Sequence, residues 1–68
     1  MIKLKSKAIS EKLRKLRGEK SRKEVAKLLG ISVSAIAMYE TGERIPNDNI
    51  KIKYAQIFNS SVEDIFFK

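Results

Sequence analysis

Residues 22–42 read RKEVAKLLGISVSAIAMYETG, and Gly30 divides them into two short amphipathic segments. Val25, Ala26 and Leu29 recur at helical spacing before the glycine, and Ile36 and Tyr39 do so after it. Gly30 supplies the left-handed backbone that ends a helix without steric cost, and Ile31 anchors the turn. Ser21 with Glu24 three residues on forms a capping box for the first segment, and Ser32 is placed to cap the second. At about 100° per residue, Ile36 and Tyr39 fall on one side of the second segment. Val33, Ser34, Ala37 and Met38 fall on the other. That outward face carries no charge, in a chain that is 34% charged. A solvated face would carry Lys and Glu; small neutral side chains let another surface come close. Ser34 can donate or accept a hydrogen bond, and Val33, Ala37 and Met38 can touch thymine methyl groups in a major groove. A contact face for another protein is the alternative reading.

The flanking chain reads as support. Ser6 is placed to cap a helix over residues 7–17, with Ile9, Leu13 and Leu16 inward, a largely basic opposite face, and Gly18 as its stop. The alternating residues 1–5 are too few for a sheet, so residues 1–6 read as an arm or a lead-in. After the stop at Thr41-Gly42-Glu43, Pro46 keeps its predecessor out of helix. Asn47 then caps a fourth helix with Ile50, Tyr54, Ile57 and Phe58 as its apolar stripe. Ser61 with Asp64 opens a short fifth, carrying Val62, Ile65 and Phe66. The expected architecture is all-α: five short helices in a single domain over residues 1–68.

Composition narrows the function. With 68 residues and no Cys or His, the chain lacks disulfides, the usual zinc ligands and the usual catalytic bases and nucleophiles. No glycine-rich phosphate loop appears, and the acidic pairs Glu40/Glu43 and Glu63/Asp64 have structural accounts at helix ends. No enzymatic activity, metal or cofactor is expected. No apolar run approaches the ~20 residues of a membrane span, and the absence of cysteine fits a cytoplasmic protein. The formal net charge is +7. Residues 1–30 hold eleven of the fifteen Lys/Arg but three of the eight acids. A basic half on a small domain suggests a polyanion partner, most simply nucleic acid.

On these residues the chain resembles the Cro/phage-repressor (XRE-type) helix-turn-helix family, whose fold is lambda-repressor-like. Residues 22–41 match its motif: small Ala26, Gly30 four residues later, and aliphatic Ile36 six beyond that, with Val25, Leu29, Ile31 and Tyr39 at the apolar support positions. Residues 39–46, YETGERIP, are similar to the family's aromatic-Glu-x-Gly-x-Arg-x-Pro run, and residues 62–66, VEDIF, to its usual close. The likeness covers about residues 8–67.

The resemblance implies double-stranded DNA as partner, with the third helix, residues 32–40, in the major groove. Val33, Ser34, Ala37 and Met38 then occupy base-reading positions. Ser32 and Thr41 are placed for backbone contacts, Arg22 for a phosphate at a helix N-terminus, and Arg44 for phosphate or a base edge. Asn47 adds a phosphate contact or serves only as a cap. Glu40 pairs with a first-helix arginine, here Arg17, in a structural role. The chain departs from the family in three respects. The loop between Arg17 and Arg22 is about two residues shorter and lacks an apolar residue, Asp48 replaces an apolar residue, and the reading face lacks Gln, Asn and Arg. Bidentate contacts to guanine or adenine are therefore absent from that face, and A/T-rich sites read through methyl groups, DNA shape and Arg44 are expected. A homodimeric transcriptional repressor on a palindromic operator follows, with Ile65, Phe66 and Phe67 as the candidate dimer surface. No small-molecule effector domain is expected. A restriction–modification controller, an antitoxin of the same fold, or a protein-binding module using the third helix remain alternatives.

Overall fold

The structure, a computed structural model, describes residues 6–67. Five helices follow in order: α1 (Ser6–Arg17), α2 (Arg22–Leu29), α3 (Val33–Thr41), α4 (Asp48–Ile57) and α5 (Val62–Phe66). The described residues contain no strand, so the all-α expectation is met. α1 opens on Ser6 itself, one residue earlier than expected. The arm reading of residues 1–6 falls, apart from Ser6, outside the described residues.

The helix boundaries follow from local chemistry. Ser21, Ser32, Asn47 and Ser61 each accept, through a side-chain oxygen, the backbone N–H three residues on, at 3.0 Å. A cap of this kind contributes about 1 kcal/mol. At α2 the box is reciprocal, because Ser21 N–H donates to the Glu24 carboxylate at 3.4 Å. The exits of α2, α3 and α4 share one device. Gly30, Gly42 and Asn59 have φ of 72°, 82° and 54°. In each case the next residue's N–H reaches back to a carbonyl in the last turn: Ile31 to Ala26, Glu43 to Met38, Ser60 to Ala55. Asn is the residue after Gly that best tolerates this conformation. The shortened α1–α2 loop is closed by Gly18 (φ 57°), by Lys20 N–H donating to Arg17 O at 3.1 Å, and by Arg17 Nη1 donating to Lys20 O at 2.8 Å.

The core is one cluster drawn from all five helices: Ile9, Leu13, Val25, Ala26, Leu29, Ile36, Tyr39, Ile50, Tyr54, Ala55, Ile65 and Phe66. Tyr54 is its aromatic hub. Its ring meets Tyr39 and Phe66 edge-on at 6.4 and 6.2 Å and stacks on Phe58 at 6.0 Å. The Tyr54 hydroxyl is buried and has no hydrogen-bond partner among the described residues.

One polar group is set into this interior. Glu40, in the last turn of α3, is 1% exposed. Its Oε2 accepts from Arg17 Nε at 2.7 Å and its Oε1 from Arg22 Nε at 3.0 Å. Arg14 Nη1 donates to the Glu40 backbone carbonyl. A carboxylate near a helix C-terminus is ordinarily unfavourable, because the helix dipole is negative there. Three guanidiniums from α1 and α2 reverse that local balance and tie both helices to the end of α3. The expected Glu40–Arg17 pair is present; the contributions of Arg14 and Arg22 are additional.

Two stability predictions follow from this interior. Glu40→Gln keeps the shape but loses both ion pairs, so chemical denaturation should show a loss of about 2–3 kcal/mol. Burial pushes the Tyr54 phenol well above its ordinary value, with the nearby Glu40 charge adding to the effect. A group whose folded pKa is raised stabilises the fold below its unfolded pKa and loses that contribution as pH rises. Stability should therefore fall above pH about 10. In Tyr54→Phe the alkaline decline should be shallower, with little change at pH 7, when the two chains are melted across that range.

Candidate nucleic-acid interface

The packing of α3 decides which of its residues are available. Ile36 and Tyr39 turn into the core with Glu40, and Ala35 packs against its edge. Val33 and Ser34 are exposed, and Ala37 and Met38 are half-buried on the same outward face. The face expected from the helical wheel thus lies outside the core cluster and is free of charge.

Its margins are built by the caps. Ser32 Oγ accepts from Ala35 N at the start of α3, which leaves its O–H proton as a donor. At the other end Thr41 is exposed and its Oγ1 donates to Met38 O at 3.2 Å. Arg44 follows at once. The N–H groups of Glu43 and Arg44 both bond to Met38 O, at 3.0 and 3.2 Å, so the loop doubles back onto the C-terminal turn of α3. The Arg44 side chain is exposed. Asn47 spends its Oδ1 on capping α4 and leaves its Nδ2 without a partner among the described residues. Asp48, the departure from the family pattern, is exposed in the first turn of α4, where a negative charge suits the helix dipole, and lies 3.9 Å from Lys51 Nζ.

Arg22 occupies the first position of α2 and is engaged inside the protein through Nε. Val33, Ser34, Ala37 and Met38 therefore share one face, Ser32 and Thr41 bound it, and Arg44 is folded against its far end. Arg22 is drawn to the same end of α3 through Glu40.

The C-terminal trio does not form one surface. Ile65 and Phe66 are buried in the domain's own core. They are corrected here from candidate interface residues to structural ones, since side chains already packed by α4 and α1 cannot also pack against a second molecule. Phe67 is 60% exposed. Lys51 Nζ lies 5.0 Å from its ring centre and 5.6 Å from that of Phe66, a pair of cation–π contacts.

Sequence reasoning passed over Leu28 and Ile52, both exposed. The signal was present in the wheel: with Val25, Ala26 and Leu29 inward, Leu28 must point out, and Ile52 lies two residues from buried Ile50. It also passed over Lys53, whose Nζ donates to Leu29 O at 3.3 Å and so ties the C-terminal end of α2 to α4. No local pattern signals that contact.

No curated protein sequence and no solved structure gives a significant match to this chain. A family model described as helix-turn-helix matches residues 11–65, which takes in the outward α3 face, the Glu40 cluster and most of α1 and α5. With the glycine-broken helix pair, the neutral α3 face and the arginine-held Glu40 already in place, the chain belongs to the Cro/phage-repressor-type (XRE) helix-turn-helix family of DNA-binding transcription regulators.

Proposed function

We propose that the protein is a cytoplasmic transcriptional repressor that binds a palindromic operator as a homodimer, with α3 of each subunit in a major groove. The outward face of α3 carries this reading. It is neutral, made of small and flexible side chains, and bounded by Ser32, Thr41 and Arg44. A face of this kind has no lysine or glutamate to clash with base edges. It offers methyl and thioether surface to thymine and one hydroxyl for hydrogen bonding. Affinity then rests on phosphate contacts from Arg22, Ser32, Thr41, Arg44 and Asn47, supplemented by the basic groups concentrated in residues 1–30. Base preference rests on α3, on Arg44 and on the deformability of A/T-rich DNA. A single domain this small contacts few bases, so two copies related by a two-fold axis double the site. Phe67 is the surviving element of the proposed dimer surface.

Salt dependence tests the DNA reading. A dimer touching about 6–8 phosphates should lose affinity with a log–log salt slope near −5 to −7. A flat response in a fluorescence anisotropy titration with duplex DNA would favour a protein partner for the α3 face instead. Arg44→Ala should weaken binding strongly while leaving the melting temperature unchanged, since no side-chain bond within the described residues depends on it. Ser34→Ala should cost about 1 kcal/mol or less and mainly shift base preference. If both Ser34→Ala and Met38→Ala leave preference untouched in competition assays, α3 is not the reader.

A further inference from the structure

The three arginines around Glu40 are not equivalent. Arg17 uses both ends of its guanidinium inside the protein: Nε on the Glu40 carboxylate and Nη1 on the Lys20 carbonyl. The Arg17–Glu40 hydrogen bond raises the Arg17 pKa further, so the Arg17 guanidinium stays charged at any physiological pH. Arg14 donates through Nη1 to the Glu40 backbone. Arg22 engages Glu40 only through Nε, and its two terminal nitrogens have no partner among the described residues. Its side chain is also more open, 40% exposed against 21% for Arg17. It stands at the first position of α2, where the N–H groups of Arg22 and Lys23 likewise have no partner among the described residues, because the Ser21 cap takes those of Glu24 and Val25.

We infer that Glu40 is a positioning residue for DNA binding: it holds Arg22 by Nε so that the free end of the guanidinium is presented, already oriented, to a DNA phosphate. This rests on the DNA reading above and assigns the buried carboxylate a part in it beyond holding α3 in place. A guanidinium has five N–H donors in a rigid fork, so one edge can stay on a carboxylate while another grips a phosphate. A lysine carries its three donors on one nitrogen at the end of a flexible stem, so holding it on a carboxylate does not orient a separate edge toward a phosphate. Glutamine at this position could reach a phosphate but could not be held by charge. Pre-orientation reduces the conformational entropy lost when the contact forms. It also links the phosphate to the end of α3 through two bonds, Arg22 to Glu40 and Glu40 to its own helix.

The test is a set of anisotropy titrations with a labelled A/T-rich duplex over a range of KCl concentrations, at a temperature where every chain is folded by circular dichroism. Arg22→Ala should weaken binding about tenfold and reduce the salt slope by about 0.9 for each subunit, the loss of one phosphate contact. Glu40→Gln should weaken binding to a similar extent in the wild-type background and by less than about twofold in the Arg22→Ala background, since coupled residues are not additive. Arg22→Lys retains a positive charge beside Glu40 and leaves the Arg17–Glu40 pair in place, so it decides the question even if Glu40→Gln does not fold. It should bind like Arg22→Ala. Arg22→Lys binding like the wild type, or Glu40→Gln and Arg22→Ala adding independently, would overturn the inference while leaving DNA binding standing. A wild-type chain with a flat salt response overturns both.

Discussion

A carboxylate buried at the wrong end of a helix is the constraint around which this small protein is arranged. Glu40 adds negative charge where the α3 dipole is already negative, and it does so almost without access to water. Left alone it would be strongly destabilising. Arg17 and Arg22 supply ion pairs from α1 and α2, and Arg14 satisfies the backbone carbonyl of the same residue. The result fixes the C-terminal end of α3 against two other helices. Apolar contact through Ile36 and Tyr39 sets the depth of α3 in the core; the arginines set its rotation and keep its outward face turned to solvent. Removing one partner of such a group costs more than the group's presence contributes, so the arrangement serves orientation more than stability.

The cluster also explains the uneven charge of the chain. Arg14, Arg17 and Arg22 belong to the basic first thirty residues, yet part of their function is internal. Counting charges alone overstates the surface available to a polyanion. The uncharged α3 face lies in the near-neutral second half. In the proposed function, recognition and attraction therefore fall to different residues, with Arg22 at the boundary between them.

Much of this is legible in the sequence. Ser21, Ser32, Asn47 and Ser61 announce helix starts because a side-chain oxygen at that position has a local partner, and Gly30 and Gly42 announce stops because few other residues tolerate positive φ. The split of α3 into a core face and an outward face follows from period alone. What the sequence did not disclose lies in contacts between distant residues. Arg22 and Glu40 are eighteen positions apart, Arg14 and Glu40 twenty-six. Lys53 capping Leu29 is of the same kind. The C-terminal trio divides along the spacing of α5: Val62, Ile65 and Phe66 fall at i, i+3 and i+4 and turn to the core, which leaves Phe67 outside.

In the proposed function an uncharged α3 face, held outward by the Glu40 cluster, reads DNA together with that of a partner copy. Selection of bound sequences from a random duplex library measures this most directly, because it reports base preference, symmetry and half-site spacing together. The expected result is enrichment of A/T-rich, two-fold symmetric sites with half-sites about 10 base pairs apart, one turn of the double helix. Recovery of sequences no different from the starting library would contradict it.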